Sequence, residues 1–300
     1  MIVVAALGGN ALLRRGEPLD QETQRRNAAA AALALAPLAA EHELVVTHGN
    51  GPQIGLLALQ GELDHDHGTT PFDVLGAETE GAIGYVLAQE LLNVLPGRQL
   101  ATLLTQTIVA ADDPRLLDPT KPIGPVYEPV QGRALAAERG WTMRPDGAGL
   151  RRVVGSPLPL DLVELDVIAM LVRAGVLVVC AGGGGVPVVR EANRLRGVEA
   201  VIDKDLTAAL LAERLGAGVL LLLTDVEGVL VNGEPLTAAT PEALAALDLP
   251  AGSMGPKAAA AAQFASRTGG RAAIGSLAAA VALAAGDAGT QVRPAPAAVR

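Results

Sequence analysis

The sequence is poor in cysteine, aromatic residues and basic charge, and each shortage argues against a class of function. Its single cysteine, Cys180, cannot form an internal disulfide, and a zinc site built on cysteines is not expected. Aromatic residues make up 2% of the 300 residues, which argues against recognition of bases or sugars by stacking. The net charge is −9 and no basic cluster stands out, so a nucleic-acid partner is not expected.

Long hydrophobic runs are missing as well. No stretch reaches the roughly 18 apolar residues that span a bilayer, and the first residues, MIVVAALGGNALL, lack the basic segment of an export signal. Half of the residues are nevertheless hydrophobic, which is enough to build a core. We therefore expect a folded cytoplasmic protein with no membrane partner.

Short apolar segments alternate with segments that favour helices. The predicted strands are residues 2–7, 44–47, 176–181 and 219–224. The predicted helices are residues 21–40, 52–63, 72–95, 160–174, 205–215, 240–247, 255–267 and 276–284. Continuous apolar strands are typical of a parallel sheet that is buried on both faces, and the alternation predicts an α/β fold.

Residues 113–157 break this alternation. They contain seven prolines and the only tryptophan of the chain. We interpret them as an inserted subdomain rather than a linker, because they carry enough apolar side chains for a small core. The candidates for that core are Val126, Tyr127, Leu135, Trp141 and Met143.

Three of the predicted strands end in glycine-rich turns, at residues 8–10, 49–51 and 182–185. Ligands of open α/β sheets bind at the carboxyl ends of the strands, and glycine lets backbone N–H groups approach an anion closely. The turns therefore predict a cradle for phosphate. The sequence has neither the GxxxxGK motif of P-loop enzymes nor the GxGxxG motif. A dinucleotide-dependent oxidoreductase with a degenerate loop remains an alternative on the alternation alone.

The basic residues are 20 arginines and three lysines, Lys121, Lys204 and Lys257. A lysine kept in such a composition marks a candidate site for a compact ammonium group, which a planar guanidinium cannot replace. Lys257 follows Gly255 and Pro256 at the start of a predicted helix, where a cation opposes the helix dipole unless an anion is bound. Lys204 lies between two aspartates, so a surface ion pair is its alternative interpretation.

Seven motifs stand in order along the chain: GGNAL (8–12), THGNGPQIG (47–55), TKPIGP (120–125), GGGGVPVV (182–189), VEAVIDKD (198–205), LLTDVEGV (222–229) and GSMGPK (252–257). Together they resemble the carbamate kinases, a branch of the amino acid kinase superfamily. TKPIGP, GNGPQ and VIDKD resemble this branch rather than the acetylglutamate, glutamate, aspartate or uridylate kinases. Another kinase of the superfamily and a non-catalytic nucleotide sensor of the same fold remain alternatives.

The resemblance implies a three-layer α/β/α sandwich around a mostly parallel sheet, with a small inserted lid subdomain at about 113–157. Within one continuous catalytic domain, residues 1–200 would form a carbamate-binding lobe and residues 201–300 a nucleotide-binding lobe. The implied reaction is reversible phosphoryl transfer between ATP and carbamate, giving carbamoyl phosphate and ADP and running toward ATP in arginine catabolism. Mg²⁺ and a homodimer are implied as well.

The resemblance also assigns roles to individual residues. The catalytic residues would be Lys204, Lys257, Asp205 and Lys121. Lys204 and Lys257 would hold the transferring phosphoryl group, Asp205 would orient them, and Lys121 would reach over the acceptor from the lid. Substrate binding is assigned to Gly8, Gly9, Asn10, Gly49, Asn50, Gly51, Gly182 and Gly183. Nucleotide binding is assigned to Thr224, Asp225, Val226, Ser253 and Met254, and no residue is assigned to a metal.

Overall fold

The computed structural model describes residues 1–13, 16–63, 70–250 and 254–295. Its strands are β1 (Ile2–Leu7), β2 (Glu43–His48), β3 (Leu100–Thr102), β4 (Gln106–Ile108), β5 (Lys121–Tyr127), β6 (Met143–Asp146), β7 (Gly149–Val154), β8 (Asp161–Leu162), β9 (Leu177–Val179), β10 (Val186–Glu191), β11 (Arg194–Gly197), β12 (Val219–Thr224), β13 (Val229–Val231), β14 (Glu234–Leu236), β15 (Ala238–Ala239), β16 (Arg271–Ser276) and β17 (Thr290–Val292). Its α-helices are α1 (Gly9–Leu12), α2 (Gln21–Glu41), α3 (Gly51–Leu63), α4 (Phe72–Val94), α5 (Pro129–Arg139), α6 (Leu165–Arg173), α7 (Lys204–Leu215), α8 (Pro241–Ala245), α9 (Met254–Thr268) and α10 (Ala280–Ala285).

The main sheet has eight strands in the order β15-β17-β16-β12-β1-β2-β9-β3. The six strands from β16 to β3 run parallel to their neighbours, and β17 pairs antiparallel with β16. The carboxyl ends of β1, β2 and β12 therefore meet at one edge, because Leu7 pairs with both His48 and Leu223. This edge is where an open α/β sheet binds its ligands.

Helices cover both faces of this sheet, which confirms the α/β/α sandwich. Along β1, Val3, Ala5 and Leu7 pack into a core with α2, α4 and α10. Val4 and Ala6 point the other way, into a core with α6, α7, α8 and α9. Successive side chains of a strand alternate between faces, so apolar residues at every position of β1 require a layer on each side.

The insertion at 113–157 has a sheet of its own, in which β7 pairs antiparallel with both β5 and β6. Tyr127 and Trp141 are in contact, with ring centroids 6.4 Å apart, but Val126 is half exposed, so its predicted place in the core is wrong. Ile123 and Val154 are buried instead, in a cluster with α3 and α4. The insertion therefore packs its base against the main body.

Some predicted boundaries were wrong for local reasons. The strand predicted at 176–181 ends at Val179, since Ala181 takes a positive φ of 52° and turns the chain out of the sheet. The helix predicted at 160–174 begins at Leu165, because 161–162 pair with β4. Strand β16 had no predicted counterpart. Among the described residues, no helix combines the length and apolar character needed to cross a membrane.

Candidate active site

The loops that follow β1 and β2 are held side by side by backbone hydrogen bonds. The N–H of Gly8 donates to the carbonyl of Leu223 at 2.8 Å, and the N–H of Gly49 donates to the carbonyl of Leu7 at 3.1 Å. A Cβ placed on Gly49 would lie 3.0 Å from the nitrogen of Gly9 and 3.2 Å from Cε of Lys204. The absence of a side chain at 49 thus lets two glycine loops and a lysine come together.

A third loop, residues 182–185, closes against the second, and we call it the tetraglycine loop. Gly183, Gly184 and Gly185 all take positive φ angles, which glycine adopts without strain. A Cβ on Gly183 would lie 2.2 Å from the side-chain nitrogen of Asn50. This close approach places Asn50 directly against the tetraglycine loop.

Asp205 joins the two lysines that the sequence singled out. Its Oδ1 accepts from Nζ of Lys204 at 2.5 Å, and its Oδ2 accepts from Nζ of Lys257 at 3.0 Å. Lys204 and Asp205 open α7, whereas Lys257 lies in the first turn of α9, so the contact joins the amino ends of two helices. About a tenth of each lysine side chain is exposed to solvent.

The charges in this cluster shift one another. Burial opposes the charge of Asp205, but Lys204 and Lys257 outweigh it and hold the pKa of that carboxyl well below its usual range. Burial lowers the pKa of Lys204 to about 8 although Asp205 favours its charged form. For Lys257 burial is outweighed by Asp205, and its pKa is raised. Two cations on one carboxylate leave an excess of positive charge at the end of the sheet.

Lys121 reaches the same place from the insertion. Its Nζ donates to Oδ2 of Asp203 at 2.5 Å, across 82 residues of sequence. The other oxygen of Asp203 accepts from the N–H groups of Asp205 and Leu206 and so caps α7. Burial disfavours the charge of Asp203, but Lys121 prevails and the pKa of Asp203 is lowered. One carboxylate thus connects the insertion to the helix that carries Lys204.

The assigned nucleotide residues are more open. Thr224 is buried at the end of β12 and donates to Oδ1 of Asp225 at 3.1 Å, while Asp225 and Val226 are exposed in the turn that follows. Met254 is half-buried at the start of α9. Ser253 lies outside the described residues. These residues share the edge of the sheet with the lysines.

The remaining substrate candidates are distributed over the same loops. Gly9 begins α1 and Gly51 begins α3, each directly after its strand. Asn10 follows Gly9 in α1, where the structure describes only its backbone. Gly182 opens the tetraglycine loop and is buried. The three loops therefore bring backbone N–H groups to one edge of the sheet beside the lysines.

Sequence reasoning missed Glu80, a buried polar residue behind the loops. Glu80, in α4, is 1% exposed and accepts from the N–H of Gly182 at 2.8 Å. Burial raises the pKa of Glu80 to about 8, and it lowers the pKa of His48, which adjoins the same glycine, to about 4. The sequence did contain a sign of this burial: Glu80 lies three residues before Ile83 and four after Gly76, on the apolar face of a predicted helix.

A preorganised set of ammonium groups and backbone N–H groups suits a reaction in which negative charge moves. Phosphoryl transfer fits this description, because it depends on positioning and on neutralising the charge of the transferred group. Within the described ranges, no group of three or more His, Cys, Asp or Glu residues is arranged to hold a metal ion.

Known proteins resemble this chain over almost its whole length. The model of the amino acid kinase family matches residues 1–276. A carbamate kinase of Rhizobium meliloti is 53% identical over 287 residues, covering 93% of this chain and 89% of the relative. A structure of carbamate kinase from Giardia lamblia bound to citric acid has a TM-score of 0.93 at 40% identity, and one bound to AMP-PNP has a TM-score of 0.88 at 39% identity. Each covers 98% of this chain and 98% of the solved chain.

Proposed function

The chain belongs to the amino acid kinase family, in its carbamate kinase branch, and we infer from this premise that it transfers a phosphoryl group reversibly between ATP and carbamate. One observation in this chain carries the inference: the Asp205 carboxylate accepts hydrogen bonds from both Lys204 and Lys257 beside the glycine loops. Carbamate is already an anion, so the reaction needs no general base. The family also argues against the alternative of a dinucleotide-dependent oxidoreductase.

We propose that Lys204 and Lys257 neutralise the transferring phosphoryl group from two sides while Asp205 keeps them at a fixed separation. An ammonium group that is already desolvated and paired requires little reorganisation when charge develops. The small exposed fraction of each lysine supports this role, because it keeps the ammonium group largely desolvated while part of the side chain stays accessible. Gly49 allows the loops after β1 and β2 to pack closely beside Lys204.

We propose that the acceptor lies among the three glycine loops, within a carbamate-binding lobe formed by residues 1–200. The assigned residues there are Gly8, Gly9, Asn10, Gly49, Asn50, Gly51, Gly182 and Gly183. The approach of Asn50 to Gly183 supports this arrangement, because it brings two of the loops together. Backbone N–H groups and short amides can then surround a small planar anion.

The nucleotide belongs, in this proposal, to the lobe formed by residues 201–300, along Thr224, Asp225, Val226, Ser253 and Met254. The relative from Giardia lamblia that was solved with AMP-PNP supports the use of ATP and ADP. Asp203 and Asp205 already contact lysines or backbone N–H groups. We therefore propose that Mg²⁺ arrives on the phosphate oxygens of the nucleotide, as part of the substrate, since magnesium commonly keeps water and phosphate ligands.

We propose that the enzyme runs toward ATP in the cytoplasm, where ADP is at hand, at the end of arginine breakdown. We further propose a homodimer. Helix α6 supports this second proposal, because Val167 and Met170 lie on one face of it and are about half exposed. An apolar helix face of this kind is suited to contact with a second copy.

The proposed reaction is tested by ATP formation from ADP and carbamoyl phosphate in a coupled assay. In the reverse direction we expect ATP turnover with ammonium bicarbonate, which generates carbamate, and background rates with acetylglutamate, glutamate, aspartate or UMP. Larger acceptors would leave buried amides of the loops unpaired, at a cost of roughly 1–3 kcal/mol for each group. Faster phosphorylation of any larger acceptor than of carbamate would contradict the assignment.

The insertion is expected to behave as a lid whose outer part moves while its base stays packed. Hydrogen exchange should be faster in α5 and β6 than in β1, and it should slow when ADP and carbamoyl phosphate are added together. Lys121→Met keeps the aliphatic part of the side chain but removes its contact with Asp203. In this variant, the ligands should reduce hydrogen exchange in the insertion less than they do in the wild type. Exchange in the insertion that is the same with and without ligands would count against a lid.

A further inference from the structure

One turn of α4 lies directly behind two of the glycine loops. Thr79 and Glu80 are adjacent in sequence, and each is 1% exposed. Both are polar residues within a helix whose buried positions are otherwise mostly apolar or glycine. A buried polar side chain is costly unless it is fully hydrogen-bonded, so the partners of these two residues indicate what they do.

Glu80 holds the tetraglycine loop through its backbone. One carboxyl oxygen accepts from the N–H of Gly182 at 2.8 Å, and the other accepts from the N–H of Thr105 at 3.1 Å. The hydroxyl of Thr105 in turn accepts from the N–H of Ala181 at 3.0 Å. Two successive peptide N–H groups at the entry to the loop are therefore held from behind.

Gly182 is also confined sterically. A Cβ at this position would lie 3.0 Å from Cγ of Glu80 and 2.4 Å from Nε2 of His48. The Cα of Gly182 thus packs closely against both the Glu80 side chain and the His48 imidazole, which leave no room for a side chain.

Thr79 holds the facing loop through Asn50. Its hydroxyl lies 2.9 Å from the carbonyl of Leu75 and 3.0 Å from that of Gly76, so the hydroxyl hydrogen is used within the helix. The hydroxyl oxygen accepts from Nδ2 of Asn50 at 2.9 Å. Because the hydroxyl can only accept here, the contact fixes which end of the Asn50 amide faces the helix.

We propose that Thr79 and Glu80 are positioning residues for the acceptor, setting the spacing and orientation of Asn50 against the tetraglycine loop. The proposal rests on the proposed function, in which these loops surround carbamate. Within the part of the chain that the structure describes, no hydrogen bond or ion pair joins Thr79 or Glu80 to Lys204, Lys257 or Asp205. Their loss should therefore affect the acceptor selectively and leave the nucleotide side largely unchanged.

Glu80→Gln is the first test. The amide has the size of the carboxyl group, but its NH₂ end cannot accept, so one of the two N–H groups loses its partner. We expect kcat/KM for carbamoyl phosphate to fall about tenfold or more while KM for ADP stays within about twofold, since small misplacement of reacting groups has large effects on rate. Glu90→Gln is the matched control, because it makes the same change in the same helix at a residue that contacts Arg25 and Asn93. It should leave both parameters near the wild-type values.

Thr79→Val and Thr79→Ser form the second test. Valine removes the hydroxyl that accepts from Asn50, so Thr79→Val should raise KM for carbamoyl phosphate several-fold. Serine keeps the hydroxyl, so Thr79→Ser should leave this KM near the wild-type value. If Glu80→Gln does not fold, this pair decides alone. The proposal would be overturned if kcat/KM fell equally for ADP and carbamoyl phosphate, or if Glu80→Gln and Thr79→Val both kept wild-type kinetic parameters. Failure of the wild-type enzyme to use carbamoyl phosphate would instead reject the proposed function.

Discussion

Replacing either Lys204 or Lys257 with alanine is expected to lower kcat/KM by about a hundredfold or more. Each change removes an ammonium group that is already desolvated and held in place by Asp205. The variant therefore loses stabilisation of the transition state. The coupled assay with ADP and carbamoyl phosphate measures the effect. Arg196→Ala is a suitable control, since it also removes one positive charge but from an exposed pair with Glu191.

Arginine should rescue neither position. The guanidinium is a wide planar fork, and Cε of Lys204 already lies close to the space that a side chain on Gly49 would fill. We therefore expect Lys204→Arg and Lys257→Arg to remain within about tenfold of the alanine variants. Near-wild-type turnover of an alanine variant would remove that lysine from the proposed machinery.

The second large effect is expected from Asp205→Asn, which should reduce activity by about a thousandfold and destabilise the fold. The substitution leaves Lys204 and Lys257 buried without the charge they share, and removal of one partner from a buried ion pair costs roughly 3–5 kcal/mol. Urea unfolding near neutral pH measures this loss. Inorganic phosphate should recover part of it, because an anion between the two lysines replaces the missing charge.

The pH dependence of this variant has a defined sign. The pKa of Lys204 is about 8, below its ordinary value of 10.5, and loss of Asp205 lowers it further because Asp205 favours the charged form. A folded state that binds fewer protons than the unfolded chain gains stability as the pH rises. The stability deficit of the variant should therefore narrow as the pH rises from 7 to about 8, and stay constant above that, where Lys204 is deprotonated in both folded proteins. Equal stability of variant and wild type at neutral pH would contradict the proposed role of Asp205.

The strands that could be predicted from sequence are those whose burial is uniform. Strands β1 and β12 begin and end where the apolar runs begin and end. Strand β16 was missed because its six residues, RAAIGS, include arginine, glycine and alanines that favour no strand by themselves. Its place in the sheet comes from pairing with β12, which is a tertiary effect that local sequence does not contain.

The candidate site likewise has parts that the sequence predicts and parts that depend on tertiary structure. The glycine loops and the three lysines could be found because composition and strand-end position mark them. The contact between Lys121 and Asp203 could not, since it joins residues 82 positions apart through the fold of the insertion. Glu80 was overlooked for another reason: a single charged residue on an apolar helix face is visible in the sequence, but its partner is a backbone N–H group, which no side-chain pattern records.

The scarcity of lysine has a consequence for covalent modification. Lys121, Lys204 and Lys257 are the only lysine side chains of the chain, and all three contact the aspartates at the start of α7. Acylation of a lysine removes its positive charge and its capacity to form an ion pair. In most proteins such a change affects a surface residue and has little effect on activity. In this one, every acylated lysine is a lost cation at the carboxyl edge of the sheet.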